Sequence, residues 1–175
     1  LHYLIKRLSN QGINRIVLSV GYLHEKIEAY FGAFYEGVSI VYVVEKDPLG
    51  TGGGIRAALE QCHSEYVLVL NGDSFFDFPL LPYFTFFQDK NADAALALRY
   101  VADASRYGMI TVNDDAVSAF HEKSGITSPG FINAGVYILP RERYLQETPA
   151  GKNFSIERDF FEPKAATWKL AAHAA

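Results

Sequence analysis

A run of glycine, Gly50-Thr51-Gly52-Gly53-Gly54, lies between two stretches that read as strands, Val38 to Val44 and Tyr66 to Leu70, and it limits the folds open to this chain more than any other feature. Glycine lets backbone approach a ligand closely. A helix that starts from such a run offers N–H groups and the positive end of its dipole to an anion. The expected arrangement is a glycine loop leading into a short helix over 54–61. The second of the two strands is apolar and β-branched and stops at Asn71-Gly72-Asp73, which reads as a buried parallel strand ending in a turn. In open α/β sheets ligands gather outside the carboxyl ends of strands. Asp73 is thereby placed where a cation carrying phosphate would sit.

The rest of the first half supports this frame. Leu1, Leu4, Ile5 and Leu8 fall at helical spacing, with Gly12 as a C-terminal stop. A strand is predicted over 15–20, a helix over 24–31 closed by Gly32, and a strand over 38–44. This β-α-β alternation implies a parallel sheet with right-handed crossovers. Further on, 79–88 reads as a helix with Pro82 in its first turn, where proline is tolerated, and 93–100 reads as an alternating strand. The texture then changes to strands at 109–112, 116–121 and 131–139, joined by turns such as Asn113-Asp114-Asp115. Short helices are predicted at 140–147 and from Ile156, the latter capped by Ser155. The alanine-rich end, Lys169-Leu170-Ala171-Ala172-His173-Ala174-Ala175, reads either as native helix or as a leftover tail.

At 175 residues and 49% apolar composition, the chain supports one domain over 1–175 with a sizeable core, and is short for two. The single cysteine, Cys62, excludes an internal disulfide and fits a reducing compartment, so the cytoplasm is expected. No apolar run is long enough to span a membrane. A net charge of -4 offers no general attraction for nucleic acid. An anionic substrate would need local positive charge, for which Lys46, Arg56, Arg106 and Lys123 are candidates.

Taken alone, the glycine run fits a ligand cradle or a plain flexible loop equally well. It is neither G-x-x-x-x-G-K-[ST] nor G-x-G-x-x-G. Asp73 alone reads more readily as an Asx-turn residue closing its strand than as a metal ligand, and the glycine loop upstream reverses that reading towards the metal. Glu122-Lys123 is either an exposed ion pair or a group that holds a sugar hydroxyl and a phosphate. Asn133 and Gly135 have bland readings as well, a satisfied buried amide and a bulge. The histidines show no ligand spacing.

Together these segments resemble a known family. Glu45 to Arg56 is similar to the E-x-P-L-G-T-G/A-G segment of the sugar-1-phosphate nucleotidyltransferases, and Asn71-Gly72-Asp73 to their metal-binding turn. Arg106-Tyr107-Gly108, Phe120 to Lys123 and Ile132 to Tyr137 continue the resemblance in the right order. Ser124 departs from it, where the family often has proline. Pro48 to Gly54 with Asn71 to Asp77 points to the subgroup that guanylylates heptose 1-phosphates.

The resemblance implies a Rossmann-like nucleotidyltransferase (GT-A-like) α/β fold, a mixed, mostly parallel sheet flanked by helices with a strand-rich, sugar-binding second half. It implies transfer of a nucleotidyl group, from GTP in this subgroup, to a sugar 1-phosphate, giving a nucleotide sugar and pyrophosphate. It carries a nucleotide role to Glu45, Gly50, Thr51 and Gly52, sugar phosphate contacts to Gly108, Glu122, Lys123, Asn133 and Gly135, magnesium binding to Asp73, and catalysis to Asp73 and Lys123. Partners are then a nucleoside triphosphate and a sugar 1-phosphate, with no nucleic acid or membrane and a homo-oligomer possible. The family's G-G-x-G-T-R-L loop is expected before Leu1 and a second metal-binding Asp after the helix at Ile156, so this stretch alone is expected to be inactive or severely weakened. Three alternatives stay open: uridylyl transfer to N-acetylmuramate 1-phosphate, guanylyl transfer to mannose 1-phosphate, and a non-catalytic nucleotide-binding or regulatory module.

Overall fold

The computed structural model describes residues 1–121 and 125–174. In chain order the elements are α1 (His2–Asn10), β1 (Arg15–Val20), α2 (His24–Phe31), β2 (Phe34–Tyr35), β3 (Val38–Val44), α3 (Gly50–Leu59), β4 (Tyr66–Leu70), α4 (Leu80–Asp89), β5 (Ala94–Val101), β6 (Met109–Asn113), β7 (Ala116–His121), β8 (Gly130–Pro140), α5 (Arg141–Glu147), a π-helix (Ile156–Phe161), α6 (Glu162–Lys164) and β9 (Leu170–Ala174). They form two compact units. The first joins Leu1–Glu65 to Arg141–Phe160, and the second joins Tyr66–Pro140 to Phe161–Ala175.

In the first unit, α1 buries Leu4, Ile5 and Leu8, as their spacing requires. The helix is stopped by Gly12 at φ +89°, whose N–H returns to Ser9 O at 2.9 Å. β1 and β3 pair in parallel from Arg15 opposite Ser39 to Val20 opposite Val44, and α2 is the crossover between them. β2 reaches β3 through Glu36 and Gly37, both at positive φ, the geometry that matches the twist of a two-residue hairpin. Ile5, Phe31, Val38 and Ile40 make the core of this layer.

The second unit is a six-stranded sheet in the order β4-β8-β5-β9-β7-β6, in which β6 also pairs with β8. The strand path therefore returns to β8. What permits this is a bulge: Leu96 faces Tyr137, but Leu98 faces Asn133, so between these pairs one residue of β5 opposes three of β8. The extra residues fall at Ala134-Gly135, with Gly135 at φ +72°. A bulge bends and twists its strand. Here it separates the part of β8 that pairs with β4 from the part that pairs with β6. Helix α4 packs Tyr83 and Phe87 against Ala95, Ala97, Val136, Ile138 and Ala171.

Three expectations need correction. The mixed α/β class holds, but parallel pairing joins only β1 to β3 and β5 to β9 among the described residues; the other pairings are antiparallel. β4, read as a buried parallel strand, is half-buried and runs antiparallel to β8. An apolar run reports burial, whereas the direction of a neighbour depends on which distant strand returns beside it. Second, β5 does not alternate: Ala94 to Leu98 are all 0% exposed, because β8 and β9 flank it and both faces are covered. Third, the alanine-rich tail is strand β9, parallel to β5 from Ala94 opposite Leu170 to Leu98 opposite Ala174. Small side chains suit a strand in the middle of this sheet.

Candidate functional site

The amino end of α3 is covered, not bare. The helix begins at Gly50 rather than Gly54, so the glycine run belongs to it, and Gly52, Gly53 and Gly54 are buried. A segment ahead of the π-helix lies across the first turn. Phe154 N–H donates to Leu49 O at 3.0 Å, Gly52 N–H donates to Phe154 O at 2.9 Å, and Asn153 Nδ2 donates to Pro48 O at 2.8 Å. A Cβ on Gly52 would lie 2.1 Å from the Phe154 ring. Glycine is needed here to let a phenyl ring onto the helix. Neither a bare cradle nor a loose loop describes the run.

Glu45 ends β3 with its N–H on Val20 O at 2.8 Å. Its Oε1 accepts the Ser19 hydroxyl at 2.7 Å and its Oε2 the Leu49 N–H at 3.0 Å. A Cβ at Gly54 would be 2.7 Å from that Oε1, so the carboxylate and the glycine occupy one space. An ionised carboxylate has about four acceptor positions, and the Glu45 group retains capacity beyond these two bonds. Beneath the helix, the buried Tyr144 hydroxyl donates to Gly52 O at 3.0 Å, and burial pushes its phenol well above the usual range. Arg56, a candidate phosphate cation, is tied to Thr148 O at 3.1 Å and to the Glu60 carboxylate.

In the second unit Asn133 and Gly135 lie on β8, Gly108 comes just before β6, and Asp73 lies in the turn that follows β4. Asn71 N–H donates to Gly135 O at 2.8 Å, which fastens the turn bearing Asp73 to the bulge. A Cβ on Gly135 would be 2.3 Å from Asn71 Nδ2. Asn133 Oδ1 accepts the Gly135 N–H at 3.0 Å, and its Nδ2 donates to Tyr137 Oη at 2.6 Å. The β6–β8 register sets Met109 opposite Ile132, and continued by one residue it carries Gly108 to Asn133. Beside Gly108 an open depression of about 730 Å³ is lined by Met109, Thr111, Phe120, His121, Phe131 and Glu162 among others. Glu122 and Lys123, expected to hold sugar hydroxyls and phosphate, lie outside the described residues.

Asp73 is exposed, with the Ser74 hydroxyl on its Oδ1 at 3.3 Å. Among the described residues no group of three or more His, Cys, Asp or Glu side chains could hold a metal ion. A lone carboxylate at a strand end fits a hard cation that keeps waters and takes its other ligands from phosphate oxygens, and it does not fit a closed protein cage.

Sequence reasoning missed the cover over α3. Ser155 was read as a local helix cap, and it is one: Arg158 N–H donates to its Oγ at 3.3 Å, while its own N–H donates to Asp159 Oδ2 at 2.8 Å. The pairing of this segment with Pro48–Gly52 spans about a hundred residues of chain, and no local pattern signals it. Asn71 was likewise read only as part of a turn.

The mixed α/β architecture that carries the glycine-led helix α3 and the strand β4 is that of a nucleotidyltransferase fold. The Nucleotidyl transferase family matches residues 1–162, and the chain belongs to that family. It is 44% identical over 162 residues to the D-glycero-alpha-D-manno-heptose 1-phosphate guanylyltransferase of Aneurinibacillus thermoaerophilus, a match covering 93% of this chain and 70% of that protein. It is 34% identical over 163 residues to the mannose-1-phosphate guanylyltransferase of Mycobacterium tuberculosis, covering 92% of this chain and 45% of that one. Among solved structures, HddC from Yersinia pseudotuberculosis superposes with a TM-score of 0.87 at 30% identity, over 99% of this chain and 75% of that chain. The same protein complexed with GMP-PN gives 0.86. No helix among the described residues is long and apolar enough to cross a membrane.

Proposed function

We propose that the chain belongs to an enzyme that transfers a guanylyl group from GTP to a heptose 1-phosphate, giving a GDP-heptose and pyrophosphate. The observation that carries this reading is its 44% identity, over 93% of the chain, to a heptose 1-phosphate guanylyltransferase. An oxygen of the sugar phosphate attacks the α-phosphorus in line; a new P–O bond forms as the bond to the pyrophosphate oxygen breaks, and no covalent enzyme intermediate is involved. Catalysis then rests on positioning and on charge stabilisation.

Glu45, Gly50 and Thr51 form the nucleotide's wall, with Gly52 acting behind it by seating the turn on Phe154, and the spare acceptor capacity of the Glu45 carboxylate is available to N–H groups of a base. Nucleotidyltransferases of this family generally use a divalent metal, and Asp73 is the residue to hold it as magnesium. That ion, when bound, neutralises and orients phosphate oxygens. Lys123 holds the attacking phosphate, while Glu122, Asn133, Gly108 and Gly135 shape the sugar pocket.

Calorimetry with magnesium tests the reading by comparing GTP with UTP, dTTP, ATP and CTP. Selective GTP binding is expected, and a preference for any other nucleotide overturns the guanylyl assignment. A second reading, guanylyl transfer to mannose 1-phosphate, is favoured by the 34% identity to the mycobacterial enzyme. Turnover of the two sugar phosphates side by side separates the two.

A further inference from the structure

The hydroxyl of Thr51, in the first turn of α3, is directed at both its proton and its lone pair. Oγ1 accepts the Ile156 N–H at 2.9 Å and donates to Glu157 Oε2 at 3.2 Å. The Ser155 hydroxyl donates to that same Oε2 at 2.8 Å, which fixes the carboxylate in turn. Hydrogen bonds to a carboxylate are roughly twice as strong as neutral ones. Turning the Thr51 hydroxyl towards a ligand would give one up.

This first turn has little stiffness of its own. Gly50 stands at φ +68°, and Gly52 to Gly54 follow Thr51 directly. Glycine backbone loses more conformational freedom on ordering than any other, so its shape must be imposed from outside. Glu45, on Leu49 N–H, Tyr144, on Gly52 O, and Asn153, on Pro48 O, hold its backbone, and Glu157, through Thr51, holds the one side chain at its start. A turn that has to be ordered when ligand arrives lowers affinity by the cost of ordering it.

We propose that Glu157 is a positioning residue for the nucleotide. Acting through the Thr51 hydroxyl, its carboxylate holds the glycine turn in the shape that receives the nucleoside triphosphate, and that hydroxyl itself makes no contact with the ligand. This rests on the nucleotide-binding reading above and adds to it a residue about a hundred positions distant in sequence.

The test is calorimetric binding of GTP with magnesium, and separately of a heptose 1-phosphate, to the full chain and to Glu157→Ala, Glu157→Gln, Thr51→Val and the Ala/Val double variant. Glu157→Ala is expected to weaken GTP roughly tenfold, the scale of one hydrogen bond to a charged group, and to leave sugar phosphate affinity unchanged. Glu157→Gln, which keeps an acceptor oxygen, is expected to restore most of the loss. The double variant is expected to bind no more weakly than the weaker single one, because both changes break one linkage. Should the alanine variant fail to fold, Glu157→Asp replaces it, its carboxylate drawn back by one methylene, with the same selective loss expected.

Undiminished GTP binding by Glu157→Ala or Glu157→Asp overturns the inference. So does an additive double variant, or a loss in Thr51→Val that clearly exceeds the loss in Glu157→Ala, which would make the hydroxyl a direct ligand. If the unaltered protein binds no GTP, the functional reading fails and this inference with it; if it binds GTP and only the Glu157 result goes wrong, the functional reading stands.

Discussion

A methyl group at position 135 would meet the Asn71 amide nitrogen at 2.3 Å, on a backbone already at φ +72°. Left-handed backbone costs a non-glycine residue about 1–2 kcal/mol, and forced overpacking adds about 1–3 kcal/mol. Gly135→Ala is therefore expected to lower the urea midpoint of unfolding clearly, and to reduce metal-dependent nucleotide binding further by shifting the turn that carries Asp73. Asp73→Asn should behave in the opposite way. The side chain is exposed, so stability is expected to stay within about 0.5 kcal/mol, while turnover falls by about 10²-fold and responds less to added magnesium. A variant with normal activity and normal magnesium dependence would remove Asp73 from the mechanism. At this scale the sequence showed which residue types matter. It did not show that Gly52 and Gly54 serve the Phe154 ring and the Glu45 carboxylate, because those neighbours arrive from other segments.

Strand β9 has poor local credentials: three of its five residues are alanine, which favours helix over strand. Tertiary context overrides that preference. β9 lies between β5 and β7, its Leu170, Ala171 and Ala172 are buried, and Ala172 N–H donates to Asp115 O at 2.8 Å. Ending the chain after Lys169 would leave β5 without its parallel neighbour. Such a variant is expected to lose its cooperative thermal transition, as read by near-UV circular dichroism, whereas a dispensable tail would leave the melt unchanged. Beside it, Leu96 is 0% exposed on a strand covered on both faces. Leu96→Ala is expected to cost about 2–5 kcal/mol by denaturant titration. The elements of the first half were legible because hydrophobic period and glycine stops act locally. The pairing directions in the second unit were not, since antiparallel and parallel neighbours place the same demands on an apolar strand.

For the molecule as a whole, the acid side of the stability profile involves a residue from which the sequence predicted little. His173 Nδ1 is buried without a hydrogen-bond partner among the described residues, and the ring stands edge-on to Tyr83 and Phe86. Burial lowers its pKa from 6.5, with Asp115 acting weakly in the opposite direction. The unfolded chain then takes up a proton that the folded one resists. The stability from a neutral His173 is fully present above about pH 6.5, the pKa of a free imidazole, and is lost as pH falls from there through the lowered folded value. Unfolding free energy measured from pH 8 to pH 5 should fall on the acid side, and His173→Phe should flatten that fall. An identical slope in the variant would assign the acid sensitivity to carboxylates.

The order of letters alone pointed to the nucleotidyltransferase class, by resemblance of its segments, and located most helices and strands of the first half. The element positions follow from forces acting within a few residues: period, capping and the freedom of glycine. Only the tertiary structure decided that the glycine run is a covered helix start, that β8 bulges at Gly135 to serve two neighbours, and that an alanine tail is an inner strand. Those outcomes depend on contacts between segments far apart in the chain, such as Thr51 with Glu157 and Asn71 with Gly135, and no local pattern encodes which distant partner will arrive.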